Sequence, residues 1–154
     1  MIVQGKLLTN QDDLSEVYNI RKKVFIDEMG ISEAEVFNNL DTYAVHVLVY
    51  EGIQRKAVAT GSMSYNGSLC YIYNVAVMKD ARDKGYGDLA IRQLIGKAFS
   101  SRINTIHVKT TLDCRSFFER LGFKSLKEDK CYYNSPYIEM VLIEESYIAG
   151  CKRR

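Results

Sequence analysis

The chain has 154 residues, 47% of them hydrophobic and 26% charged, and a formal charge of +2 from 21 basic and 19 acidic groups. That length suits one domain, residues 1–154, able to bury most of its apolar surface. The near balance of charge disfavours a general nucleic-acid binder, and no apolar run approaches the ~18 residues that would span a bilayer.

Residues 2–8 read as a first strand. Asn10 or Asp12 can cap a helix whose face is marked by Leu14, Val17, Tyr18, Arg21 and Phe25 at three- and four-residue steps, with Gly30 ending it. The segment 31–40 fits a short second helix and a loop. Three strands follow: 43–51, closed by Glu51-Gly52; 56–65, closed by the hairpin pair Asn66-Gly67; and 68–78. A helix of about 16 residues comes next, with Ile91, Leu94, Ile95, Ala98 and Phe99 on its inner face. A β-rich run at 103–110, a short helix at 114–122 ending on Gly122, and closing strands in CYYN and PYIEMVLI complete the chain. Hairpins joined to a β-α-β unit predict an α/β (α+β) sheet covered by helices.

The amino terminus, MIVQGKLLTNQDD, lacks a basic stretch followed by a long apolar one, so no export signal is expected. Four dispersed cysteines (Cys70, Cys114, Cys131, Cys151) form no CxxC pair, and only two histidines are present. Neither a metal site nor a disulfide framework is expected, and reduced thiols in a cytoplasm follow. Cys70 and Cys114 read as small core residues, and His46 and His107 as histidines satisfied within the sheet.

The chemistry concentrates at Arg82-Asp83-Lys84-Gly85-Tyr86-Gly87, the seam between the strand 68–78 and the long helix. The first turn of a helix exposes unpaired N–H groups and carries partial positive charge. Glycines at 85 and 87 would let a phosphate approach those groups, with Arg82 and Lys84 at the rim, making a pyrophosphate cradle. The spacing is not GxxxxGK[ST], and Ala90 stands where GxGxxG needs its third glycine. The pattern that remains is [R/Q]-x-x-G-x-[G/A], filled by Arg82, Gly85 and Gly87.

NVAVMKDARDKGYGDLAI (74–91) resembles the central acetyl-CoA motif of the GNAT superfamily of acyl-CoA-dependent N-acetyltransferases, and CRSFFERLGF (114–123) resembles its second signature. IRKKVFIDEMGIS (20–32) and SPYIEMVL (135–142) are similar to segments of one bacterial subgroup. The resemblance covers nearly the whole chain. It implies a mixed, mostly antiparallel central sheet flanked by helices and splayed between its fourth and fifth strands, with acetyl-CoA as cosubstrate and no metal. Backbone groups of Val75, Ala76 and Val77 would bond the pantetheine arm, one N–H polarising the thioester carbonyl. The amides of Arg82, Asp83, Lys84, Gly85, Tyr86 and Gly87 would hold the pyrophosphate. Thr111 and Phe118 align with further cofactor contacts. Glu28 and Tyr73 are the catalytic candidates.

An acceptor amine would attack the thioester directly, a small molecule being favoured over a protein. No nucleic-acid or membrane partner is expected, and the chain would be a monomer or homodimer. The family's tyrosine acid is replaced by Phe118, leaving Tyr86, Tyr132, Tyr133 or water to protonate the thiolate. The other reading is an acyl-CoA-binding sensor or interaction module without turnover. The family's asparagine before the fourth helix aligns with Thr111, and the subgroup's closing-strand histidine with Tyr137.

Overall fold

In the computed structural model, residues 2–67, 69–132 and 135–148 are described, with the backbone alone at 66, 127–132 and 135–137. Tyr133, Cys151 and the side chains of Cys131, Tyr132 and Tyr137 therefore lie outside the described set. Two compact units are present: Met1–Tyr65 with Ile72–Lys97, and Asn66–Tyr71 with Ala98–Arg154.

The first unit opens with β1 (Val3–Leu8) and α1 (Ser15–Arg21). The helix start differs from expectation. Asp13, not Asn10 or Asp12, accepts the Ser15 N–H at 2.9 Å. Asp12 instead closes a turn by accepting the Thr9 N–H at 2.8 Å, and the Asn10 amide donates to the Thr42 carbonyl. Beyond Arg21 the helix widens into a π-helical stretch, Lys22–Glu28, in which the Met29 N–H reaches back five residues to the Val24 carbonyl at 3.1 Å. The buried stripe is Leu14, Val17, Ile20, Arg21 and Val24; of the expected face, Tyr18 is exposed and Phe25 half-buried, Ile20 and Val24 taking their places. Gly30, at φ +73°, ends the helix as expected.

The short helix α2 (Glu33–Val36) leads into β2 (Ala44–Glu51), β3 (Lys56–Asn66) and β4 (Leu69–Val77), and α3 (Tyr86–Ser100) follows. β1 pairs antiparallel with β2 from Val3↔Glu51 to Leu8↔His46, and β2 antiparallel with β3, with a bulge at Val49/Tyr50. Seven consecutive residues of β2 are buried, because helices cover both of its faces. On one side Leu14, Val17, Ile20 and Val24 pack with Leu48, Tyr50 and Ala76. On the other, Gly61 leaves only 3.2 Å between a would-be Cβ and Leu94 of α3.

The second unit contains β5 (Thr105–Thr111), α4 (Arg115–Glu119), β6 (Lys124–Tyr132) and β7 (Ser135–Ile143). β7 is the central strand of this group, antiparallel to β5 on one side and to β6 on the other. Ile106, Leu121, Ile138, Met140 and Leu142 are fully buried. Gly122, at φ +107°, passes so close to the Ser146 carbonyl that a Cβ would collide with it. Mostly antiparallel strands flanked by helices make the fold the expected mixed α/β class.

Candidate active site at the turn between β4 and α3

β4 carries a left-handed residue in its middle. Asn74 has φ +52°, a conformation that asparagine tolerates better than the Val, Ile and Tyr around it. Its side-chain amide donates to the Val36 carbonyl at 3.0 Å, tying the end of α2 to the strand. The left-handed step breaks the two-residue alternation, as a bulge does. Tyr73 and Ala76 consequently face α1, whereas Val75 and Val77 face α3. Tyr73 reaches Asp41, and Ala76 joins the α1 cluster. Val75 lies 3.4 Å from a Cβ built on Gly61, and Val77 3.4 Å from one built on Gly87. Simple alternation would have put Tyr73 and Val75 on one face; the left-handed residue between them separates them.

After β4 the chain makes a 3-10 turn, Lys79–Ala81, and passes through two left-handed residues, Asp83 at φ +66° and Gly85 at φ +84°. Leu89 N–H bonds to the Gly85 carbonyl at 3.0 Å, so α3 starts here, and the N–H groups of Tyr86, Gly87 and Asp88 have no carbonyl one turn earlier within the helix. A Cβ on Gly85 would meet nothing within 4 Å. Glycine is demanded there by the backbone angle, and the space over the turn is open. Gly87 needs no special angle; a methyl there would make ordinary contact with Val77, consistent with the [G/A] freedom of the motif.

Lys84 and Asp83 are exposed at the turn, and Tyr86 is buried. The Tyr86 hydroxyl donates to Glu51 at 2.6 Å, and this bond, with burial, raises its pKa. Arg82 does not stand free at the rim. Its Nε donates to the Val77 carbonyl at 3.0 Å, and its two terminal nitrogens donate to both carboxylate oxygens of Glu28 at 2.7 Å each. These bonds from Arg82 hold the Glu28 carboxyl below its ordinary pKa. Glu28 is thus an ionised partner of the turn rather than an open base.

Tyr73 sits in a buried polar cluster. Burial first, and then its 2.5 Å bond to Asp41, push the Tyr73 pKa well above that of a free phenol, so the hydroxyl is a neutral donor. Asp41 also receives both terminal nitrogens of Arg21, at 2.7 and 3.0 Å. Burial alone would raise the Asp41 pKa, but the hydrogen bonds from Arg21 and Tyr73 outweigh it and the value falls. Arg21 is fully buried, with the Tyr18, Phe37 and Tyr73 rings 5.6 to 5.8 Å from its guanidinium carbon. It also donates to Ser62 Oγ, which lies 2.7 Å from His46 Nδ1. Burial, followed by the Arg21 charge, lowers the His46 pKa and keeps the ring neutral.

In the second unit, Thr111 ends β5 opposite Tyr137. Phe118 is 5% exposed, its ring edge-on to Phe117 and Phe123 at 5.1 and 5.3 Å, in the position of a core residue. His107 lies 3.4 Å from Glu139 and beside the Tyr71 ring. Cys70 is buried, which pushes its thiol up to about 12, whereas Cys114 is exposed rather than in the core.

Arg21, Asp41 and Asn74 escaped the sequence reading as site residues. Two signals were available: an arginine on the apolar face of a helix requires a buried anion, and an asparagine inside a β-rich run favours a left-handed angle. Among the described residues, no helix is long and apolar enough to cross a membrane, and no group of three or more His, Cys, Asp or Glu side chains could hold a metal ion.

The acetyltransferase (GNAT) family model matches residues 14–123. The uncharacterised Bacillus subtilis (strain 168) protein YyaT is 25% identical over 138 residues, covering 88% of this chain and 92% of YyaT. Among solved structures, an acyl-CoA N-acyltransferase from Pseudomonas aeruginosa superposes with a TM-score of 0.78 at 17% identity, covering 92% of this chain and 99% of that one. Escherichia coli ElaA does so at 0.77 and 15% identity, with coverages of 92% and 99%. At those identities the structures speak for the fold. With the family model spanning both signature segments, the chain belongs to the GNAT acetyltransferase family.

Proposed function

We propose that the protein moves an acetyl group from acetyl-CoA to a primary amine by direct attack of the amine on the thioester. The observation that carries this reading is the exposed left-handed turn Asp83–Gly85, with open space at Gly85, which sets the start of α3 beside the end of β4. Bound acetyl-CoA would supply an activated carbonyl and a leaving thiolate.

The chain's own residues would then divide the work. Amides of 82–87 hold the pyrophosphate, and backbone groups of Val75, Ala76 and Val77 hold the pantetheine arm and polarise the carbonyl. Positioning is the main contribution, because an amine and a thioester held in line already react far faster than in solution. Glu28 is ionised and paired, and Tyr73 is a neutral donor. Neither is a base tuned near neutrality, so amine deprotonation is assigned to water and Tyr73 to orienting groups on the α1 face. Tyr86 is committed to Glu51, so protonation of the thiolate is assigned to water, Tyr132 or Tyr133. The acceptor is taken to be a small molecule and the compartment the cytoplasm.

Phe118 favours a second reading, because a buried phenyl ring cannot donate a proton. In it the protein binds acyl-CoA without turnover. Incubation with acetyl-CoA and a panel of primary amines, following free thiol, separates the two. Amine-dependent thiol release is the expected result. Tight CoA binding with no release on any amine would support the module, and no CoA binding would remove both.

A further inference from the structure

The turn between β4 and α3 is tied to the π-helical stretch by the side chain of Arg82. Its 3-10 turn at Lys79–Ala81 has no side-chain cap, and its two left-handed residues, Asp83 and Gly85, are exposed. Arg82 stands between the 3-10 turn and Asp83. Its Nε fixes the last carbonyl of β4, at Val77, and its two terminal nitrogens close a two-point bond onto Glu28, 54 residues earlier. Glu28 is itself placed by the π-helical stretch Lys22–Glu28, whose wider turn ends on it. A bidentate guanidinium–carboxylate pair fixes orientation as well as distance, which a lysine could not do.

We infer that Glu28 is a positioning residue for the pyrophosphate turn, acting through Arg82 as a strut between the π-helical stretch and the end of β4. The inference rests on the acetyl-CoA reading above and adds the role of this ion pair to it. The guanidinium is turned onto a carboxylate and a strand carbonyl, so it serves the cradle by holding the backbone amides in place. The phosphate's own contacts are those amides and the exposed Lys84. A loop held in its binding geometry before the ligand arrives loses less freedom on binding. A competing arrangement is also defined by the same geometry: Glu28 as an internal anion that occupies Arg82 until a phosphate displaces it. The two differ in sign.

The test measures CoA affinity by calorimetry and KM for acetyl-CoA and for acetylpantetheine, which lacks the pyrophosphate, in wild type, Glu28→Ala, Glu28→Gln, Glu28→Asp and Arg82→Ala. The strut predicts that Glu28→Ala and Glu28→Gln weaken CoA binding and raise KM for acetyl-CoA about fivefold, the scale of a partly exposed ion pair. KM for acetylpantetheine and kcat stay within error, and Glu28→Asp recovers part of the loss. Glu28→Ala and Arg82→Ala combined lose no more than Arg82→Ala alone, because both remove one strut. Unchanged or tighter CoA binding in Glu28→Ala overturns the strut, tighter binding pointing to the internal anion. Equal losses with acetyl-CoA and acetylpantetheine also overturn it, since the effect would not be confined to the pyrophosphate. Wild-type protein that binds no CoA would instead overturn the acetyltransferase reading itself, before the variants are compared.

Discussion

At the scale of single residues, Asn74 and Gly85 both hold a left-handed backbone angle, Asn74 with a side-chain bond to Val36 in addition. Asn74 turns β4 so that Val75 and Val77 face α3 while Tyr73 faces Asp41. A β-branched side chain at φ +52° costs roughly 1–2 kcal/mol, whereas glycine adopts that angle freely. Asn74→Val should therefore lower the urea midpoint and raise KM for acetyl-CoA, with Asn74→Gly much closer to wild type on both. Equal behaviour of the two variants would show that the side-chain bond to Val36, and not the left-handed angle, is what matters. Motif spacing located Gly85 but suggested steric access as its reason. Its angle of +84° in open space supplies a conformational reason, which no spacing rule encodes.

At the scale of elements, the cluster of Arg21, Asp41, Tyr73, Ser62 and His46 joins α1, β2, β3, β4 and the turn before β2. Breaking a buried pair leaves the other charge without compensation, so Asp41→Asn should cost roughly 3 kcal/mol at neutral pH, the low end for such a change. The pH dependence has a fixed sign. Asp41 titrates lower in the folded chain than in the unfolded one, so its stabilisation is complete above the unfolded carboxyl pKa of about 4 and is lost as pH falls through the folded value. Urea midpoints measured from pH 7 down to pH 3 should fall more steeply for wild type than for Asp41→Asn; parallel curves would mean that Asp41 is not perturbed. The sequence reading placed Arg21 on the helix face that packs inward, where its position was right and its function invisible. Which carboxylate it meets depends on a contact 20 residues away, and periodicity carries no information about that. The π-helical widening after Arg21 was equally hidden, because its hydrophobic steps remain within the range of an ordinary helix.

At the scale of the whole molecule, the order of elements was legible because the punctuation is strong: Gly30, Asn66-Gly67, Gly85 and Gly122 each mark an element end, and all four glycines have positive φ. The turn between β4 and α3 was legible for the same reason, being a local strand–glycine–helix pattern. Catalytic roles were not, since Glu28 and Tyr73 are each decided by a partner distant in sequence, Arg82 and Asp41. Phe118 illustrates the other side: alignment placed it at a family tyrosine, and its packing against Phe117 and Phe123 is that of a core side chain. The central claim is that the turn around Gly85, at the start of α3, receives the pyrophosphate of CoA. Calorimetric titration of CoA into wild type and Gly87→Glu tests it most directly, because Gly87 has no left-handed angle to strain and a carboxylate there would sit beside the phosphate. Binding by wild type, with at least a tenfold loss in a Gly87→Glu variant of unchanged circular dichroism, is expected, about 1.4 kcal/mol or more. Equal CoA affinity in the two folded proteins would contradict it.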